Sequence, residues 1–279
     1  MRARSDVILV AILVLLGGMV GAGALHARRR QATGSPAVQL SAADSVRLDQ
    51  GYALNLARGD RRQRPPEWVQ QVQLARLRAV VRRDMAADTG TSADSVDPAV
   101  LAEVVRQEGA GTYIQAVLDQ GDGSYERWPK AADPIAVWVQ PQSSERGFDP
   151  SFLVPVRAAF SIWSAVNVGV GFTLVDDSTQ ADVLVLWSAT MPTGQELGTT
   201  RRIADPRGRL MVAYVVLSTT VDIYAVQNAA LHEAGHVLGL EHSPNSDDIM
   251  AAASRGRQDR LSDADRRTAR LLYRLPGPP

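Results

Sequence analysis

The stretch His232-Glu233-Ala234-Gly235-His236-Val237-Leu238-Gly239-Leu240-Glu241-His242 constrains this chain more than any other, because it gathers three of the four histidines. His232 and His236 are four residues apart, so a helix projects them from one face, where they can grip one metal ion. Glu233 stands beside the first of them, within reach of a metal-activated water whose proton it can take. Gly239 lets the helix end in a sharp turn, since glycine accepts a positive φ at no steric cost. That turn returns His242 as a third ligand. Three protein ligands leave a fourth position open, which marks a catalytic site and not a structural one.

A bare H-E-x-x-H recurs on ordinary helices, but the longer spacing fixes five positions, each with its own mechanical reason. The competing reading is an amphipathic helix whose histidines merely hydrogen-bond. It leaves three imidazoles and a carboxylate converging without cause. On these residues the chain resembles the metzincin metallopeptidases, and Ser243 after the third histidine is similar to their matrixin branch, which includes the matrix metalloproteinases. Met250, eight residues past His242, is placed like the Met-turn methionine that floors the family's metal site. The resemblance implies a zinc endopeptidase acting on protein or peptide substrates. His232, His236 and His242 would then hold zinc, and Glu233 would be the general base toward a metal-activated water. The chain departs from the pattern at Ala251-Ala252, where matrixins commonly carry Tyr-Pro, so neither a tyrosine at the site nor the shape of the S1′ wall carries over.

The resemblance extends more weakly upstream. Ile135, Val137 and Val139 alternate with Ala136 and Trp138 and predict a first strand. A helix is expected from about Leu153, with Val156, Ala159, Phe160, Trp163 and Val166 as its apolar stripe. Gly171–Val175, Asp182–Trp187 and Leu210–Ser218 read as strands. Leu197-Gly198-Thr199-Thr200 falls where the family keeps an antiparallel edge strand, onto which an extended substrate can add. Residues 222–239 form the expected active-site helix. Leu261–Asp265 opens a last helix to Leu275, with Asp263 and Asp265 favourable at its positive end. The expected class is α+β: a metzincin-like domain over 131–276 with a twisted mixed five-stranded sheet and three helices. Ahead of it come a small helical region, 31–130, and an N-terminal membrane segment, 1–30.

Residues 7–25 are nineteen consecutive uncharged residues drawn from Val, Ile, Leu, Ala, Met and Gly, nearly enough to span a bilayer's hydrocarbon core as a helix. Two readings stand. Val7–Leu16 has the length of a signal h-region, and Ala22-Gly23-Ala24 fits a cleavage site. The unbroken apolar run as far as Arg28 favours an uncleaved anchor instead. Either places the catalytic domain outside the cytoplasmic membrane: anchored to the membrane through residues 7–25, or secreted or periplasmic. The net charge of zero gives no electrostatic case for nucleic acid. The absence of cysteine removes disulfides, thiol catalysis and thiolate metal sites together. Lys130 is the single lysine among thirty basic residues, a bias that fits a GC-rich bacterial genome.

Within 31–130, Gly34, Ser35 and Pro36 suggest a linker. Pro66 can start a helix striped by Leu74, Leu77, Val81 and Met85. Thr89–Asp97 is a polar break, and Asp97-Pro98 opens a helix through Gln107. Thr112–Leu118 is a further short helix, ended by a Gly121-Asp122-Gly123 turn. The region reads either as a helical stalk or packing layer, or as a prodomain over the cleft; matrixin prodomains silence zinc with a cysteine, which this chain lacks. Two other functions stay open: an inactive metzincin-fold binding module on the cell envelope, or an anchored structural protein working through 31–130. One catalytic zinc is expected. The second, structural zinc that matrixins usually carry needs three more histidines, and His26 alone remains. Calcium needs only oxygens, which Asp176, Asp177, Asp205 and carbonyls near Gly208 could offer.

Overall fold

The computed structural model describes residues 67–87 and 97–277, apart from 122, 192, 193, 195, 206 and 254–257. The expected membrane segment, the linker and His26 lie outside the described residues, among which no helix is long and apolar enough to cross a membrane. The chain divides into two compact units, 1–92 and 93–279.

The described part of the first unit is helix α1, Glu67–Ala87. Its buried positions are Val69, Gln73, Leu77, Val80 and Val81, while Leu74 is half-buried. The expected stripe is therefore drawn one position off at its start. Steps of four, four and three residues from Val69 hold one face of a helix, and they select Gln73 over Leu74.

The second unit is built on a five-stranded sheet in the order β2-β1-β3-β5-β4. Its strands are β1 Ile135–Val139, β2 Phe172–Leu174, β3 Val183–Ser188, β4 Gly198–Ala204 and β5 Leu210–Ser218. β2, β1, β3 and β5 run parallel, and β4 pairs antiparallel with β5 at the edge. The alternation expected in β1 is not its burial pattern: Ala136 is buried with Ile135, Val137 and Val139. Interior strands of a parallel sheet are covered on both faces, so a continuous apolar run suits them better than alternation. β3 and β5 follow the same rule. The buried Asp182 carboxylate accepts the Ala136 N–H at 2.9 Å, tying β1 to β3.

Five helices are described in this unit: α2 Pro98–Glu108, α3 Ile114–Gln120, α4 Leu153–Ser164, α5 Ile223–Leu238 and α6 Asp263–Leu272. Asp97 caps α2 by accepting the Ala99 N–H at 2.8 Å. α4 buries Val156, Ala159, Phe160 and Trp163, and Val166 just past its end. α6 opens with a reciprocal capping box between Ser262 and Asp265. It stops at Leu272, three residues before the expected end. Pro276 disfavours helical backbone in Leu275, and the Arg127 guanidinium takes the carbonyls of Leu272 and Leu275, both at 2.9 Å.

The compact unit begins well ahead of the expected boundary at 131. Tyr113, Ile114, Val117, Leu118 and Trp128 belong to the same core as α4, α5 and the sheet. The reason is local: α3 is too short to stand alone, and it carries three buried apolar residues in seven. Its one stable solution is to lay them on the neighbouring core.

Candidate metal centre

Helix α5 starts at Asp222, whose carboxylate accepts the N–H groups of Tyr224 and Ala225 at 2.9 and 2.8 Å. It ends at Gly239, whose φ of 107° no β-carbon-bearing residue adopts easily. The last four carbonyls of a helix have no partner within it, and here each finds one. Gly235 accepts from Leu240 N–H at 3.1 Å, and His236 from Gly239 N–H at 3.0 Å. Val237 accepts from the Trp128 indole at 2.7 Å, and Leu238 from the Tyr273 hydroxyl at 2.9 Å. The helix end is therefore fixed, and the turn beyond it carries His242 back toward His232 and His236.

The His236 Nε2 atom lies 3.0 Å from His232 Nε2 and 3.3 Å from His242 Nε2. Tetrahedral ligands at zinc–nitrogen distances of ~2.0–2.1 Å sit about 3.3 Å apart, so this spacing fits one zinc ion. The Nδ1 atoms of His232 and His236 lie 2.7 and 2.8 Å from the carbonyls of Ile249 and Leu240. A carbonyl only accepts, so each Nδ1 carries the proton and each Nε2 offers a lone pair. Burial lowers the pKa of all three imidazoles, most strongly at His236, where His232 adds to the effect. Neutral imidazole is the ligating form.

Among the described residues these three form the one group of His, Cys, Asp or Glu side chains that could hold a metal ion. Two of the acidic residues considered for calcium, Asp177 and Asp205, serve local turns. Asp177 accepts from Thr179 and Gln180. Asp205 accepts from the backbone of Arg207 and Arg209, both at 2.9 Å, and from the Arg209 side chain at 2.5 Å.

Glu233 is 5 % exposed, and Thr200 Oγ1 donates to its Oε2 at 2.6 Å. Burial pushes the carboxyl up to about 7; the Thr200 hydrogen bond opposes this and the Glu196 charge adds to it. A β-carbon on Gly198 would fall 2.7 Å from Glu233 Cγ, so β4 lies directly against this side chain. Gly198, Thr200 and Arg202 share one face of β4, opposite the core residues Leu217, Val215 and Ala213 of β5.

Met250 is fully buried, and its sulfur occupies the space a side chain at Gly235 would need, next to Trp163. It thus lies beneath the helix turn between His232 and His236. Ser243 N–H donates to the Met250 carbonyl at 2.8 Å, closing the turn. Asp265, fully buried, holds it from the other side: its carboxylate accepts Ile249 N–H at 3.0 Å, Met250 N–H at 3.4 Å and the Tyr113 hydroxyl at 3.1 Å. Ile249 in turn orients His232. Sequence reasoning placed Asp265 only as a favourable charge; the S-x-x-D spacing from Ser262 was the signal that it also reaches backbone. Thr200 was expected only as part of the edge strand and Arg202 not at all, because their side-chain partners depend on where β4 lies against α5.

A family model described as matrixin matches residues 214–274, from within β5 to the turn after α6. No curated protein matches the chain. With the three-histidine group, the match fits a matrixin-like metzincin, a family of zinc metallopeptidases.

Proposed function

We propose that this chain is a zinc-dependent endopeptidase with His232, His236 and His242 as the metal ligands and Glu233 as the general base. One observation carries the reading: three histidine Nε2 atoms converge within the span of one metal ion, and the residue next to the first of them is a buried carboxylate, Glu233. The three histidines would hold zinc, which when bound would supply Lewis acidity toward the scissile carbonyl and an activated water at neutral pH. Glu233 takes the water's proton and delivers it to the leaving amine, so that one carboxyl serves both halves of the reaction. Thr200 holds that carboxyl in place. The outer edge of β4, which pairs with β5 on its other side, receives the substrate as an added strand and aligns its scissile bond along α5.

The apolar run at 7–25 supports export or membrane anchoring, with the peptidase domain outside the cytoplasmic membrane. The test of the chemistry is Glu233→Gln. Zinc content and melting should persist while peptide hydrolysis falls ~10²–10⁴-fold, the usual cost of removing a general base. Near wild-type cleavage by that variant would reject the base assignment. Zinc binding by the wild type with no cleavage of a broad peptide library would favour a binding module instead.

A further inference from the structure

Arg202 makes more contacts around the metal-binding turn than any chemistry assigned so far requires. It lies on β4, one alternation beyond Thr200, with its side chain 15 % exposed. Its Nη1 donates to the His236 carbonyl at 2.9 Å and to the Leu240 carbonyl at 3.3 Å. Its Nη2 pairs with the Glu241 carboxylate, and its Nε lies 3.2 Å from that of Glu126. The Leu240 carbonyl is the group that orients the His236 ring, and Glu241 directly precedes His242. One planar cation therefore grips the backbone of the central ligand, the carbonyl that aims its imidazole, and the residue beside the third ligand.

Charge does not explain the placement. A cation next to a metal-binding site repels the metal, and here it is paired with the carboxylates of Glu126 and Glu241. Geometry does explain it, because only the guanidinium fork spans several acceptors in one plane; lysine offers a single point charge. The row Gly198, Thr200, Arg202 further means that the strand expected to receive substrate is joined to both the base and the ligand turn.

We propose that Arg202 is a positioning residue for the metal centre: it sets the placement of His236 and His242 and couples it to the substrate-receiving edge strand. The inference rests on the zinc reading above. Outer partners of metal-ligating histidines typically change affinity ~10–100-fold when removed.

The experiment measures zinc affinity of the full-length chain by chelator competition and records the visible spectrum of the cobalt(II)-substituted protein. Arg202→Met should weaken zinc binding ~10–100-fold and alter the cobalt spectrum, and Arg202→Lys should not restore either. If Arg202→Met fails to fold, Glu241→Gln, a gentler change that leaves the arginine and its carbonyl contacts in place, should alter the cobalt spectrum relative to the wild type. Wild-type zinc affinity and an unaltered cobalt spectrum in the folded Met variant, or in Glu241→Gln if Met does not fold, would overturn the proposal and leave Arg202 a helix clamp. Absence of zinc binding by the wild type would instead remove the reading beneath it.

Discussion

The segment from Tyr113 to Trp128 and the stretch from His232 to His242 both serve the metal centre yet could hardly differ more as sequence. In the second, spacing alone dictates which atoms meet, because four residues is one helical turn and a glycine ends the helix. The first has no spacing to recognise. It reaches the site through an indole on Val237, a Gln120 amide on the His242 carbonyl at 2.9 Å, and a carboxylate that pairs with Arg202. The difference teaches that ligands define the chemistry while an unrelated segment keeps their helix end in place. The family match, over residues 214–274, covers the ligand stretch and stops short of the bracing segment.

The hardest test of that comparison is truncation. A chain starting at residue 131 loses Tyr113, Ile114, Val117, Leu118 and Trp128 from the core. At ~1.5–3 kcal/mol for each fully buried apolar side chain, the loss is on the order of 10 kcal/mol, comparable to a whole domain's stability. Such a chain should show no cooperative thermal transition, whereas one starting at Ala93 should melt cooperatively. Equal melting of the two would mean that the segment braces nothing.

Gly239→Ala strikes both regions at once. The backbone there is at φ 107°, and the added β-carbon would press on the Glu126 carbonyl of the bracing segment. Strain and overpacking together should cost about 2–4 kcal/mol, read from the urea midpoint of the metal-free protein. A change within error would show that the segment yields freely around the helix end.

Thr200→Val sharpens the other side, since it removes a hydroxyl from the motif's neighbourhood and nothing from the brace. Loss of a hydrogen bond to a carboxylate is worth ~1.5–3 kcal/mol, so kcat should fall roughly ten- to a hundredfold. KM and zinc content should hold, and Thr200→Ser should recover most of the rate. A rise in KM with kcat unchanged would assign Thr200 to substrate binding and free Glu233 from it.

Much of the fold was legible because local rules and tertiary needs agreed. The stripe Val156, Ala159, Phe160, Trp163 and Val166 is buried as its period predicts, four strands fall within a few residues of the hydrophobic runs, and β4 starts where the resemblance placed an edge strand. β4 runs on to Ala204 because β5 offers it partners that a local reading cannot see. The compact unit takes in residues ahead of 131 that its sequence did not mark, because α3 and Trp128 show their purpose only against a core distant in sequence. At the site, the three histidines and Glu233 were readable from spacing, and the structure brings the three imidazoles together. Thr200, Arg202, Asp265 and Tyr273 act through contacts set by tertiary packing. Nothing in their own neighbourhoods announced them, apart from the cap at Ser262.

The account stands or falls on metal content measured beside activity. Elemental analysis of the purified, dialysed full-length chain should give about one zinc per molecule for the wild type and for Glu233→Gln. His236→Ala should retain none, and only the wild type should cleave casein. Zinc retained in His236→Ala, zinc lost from Glu233→Gln, or a reproducible ratio near two would contradict it.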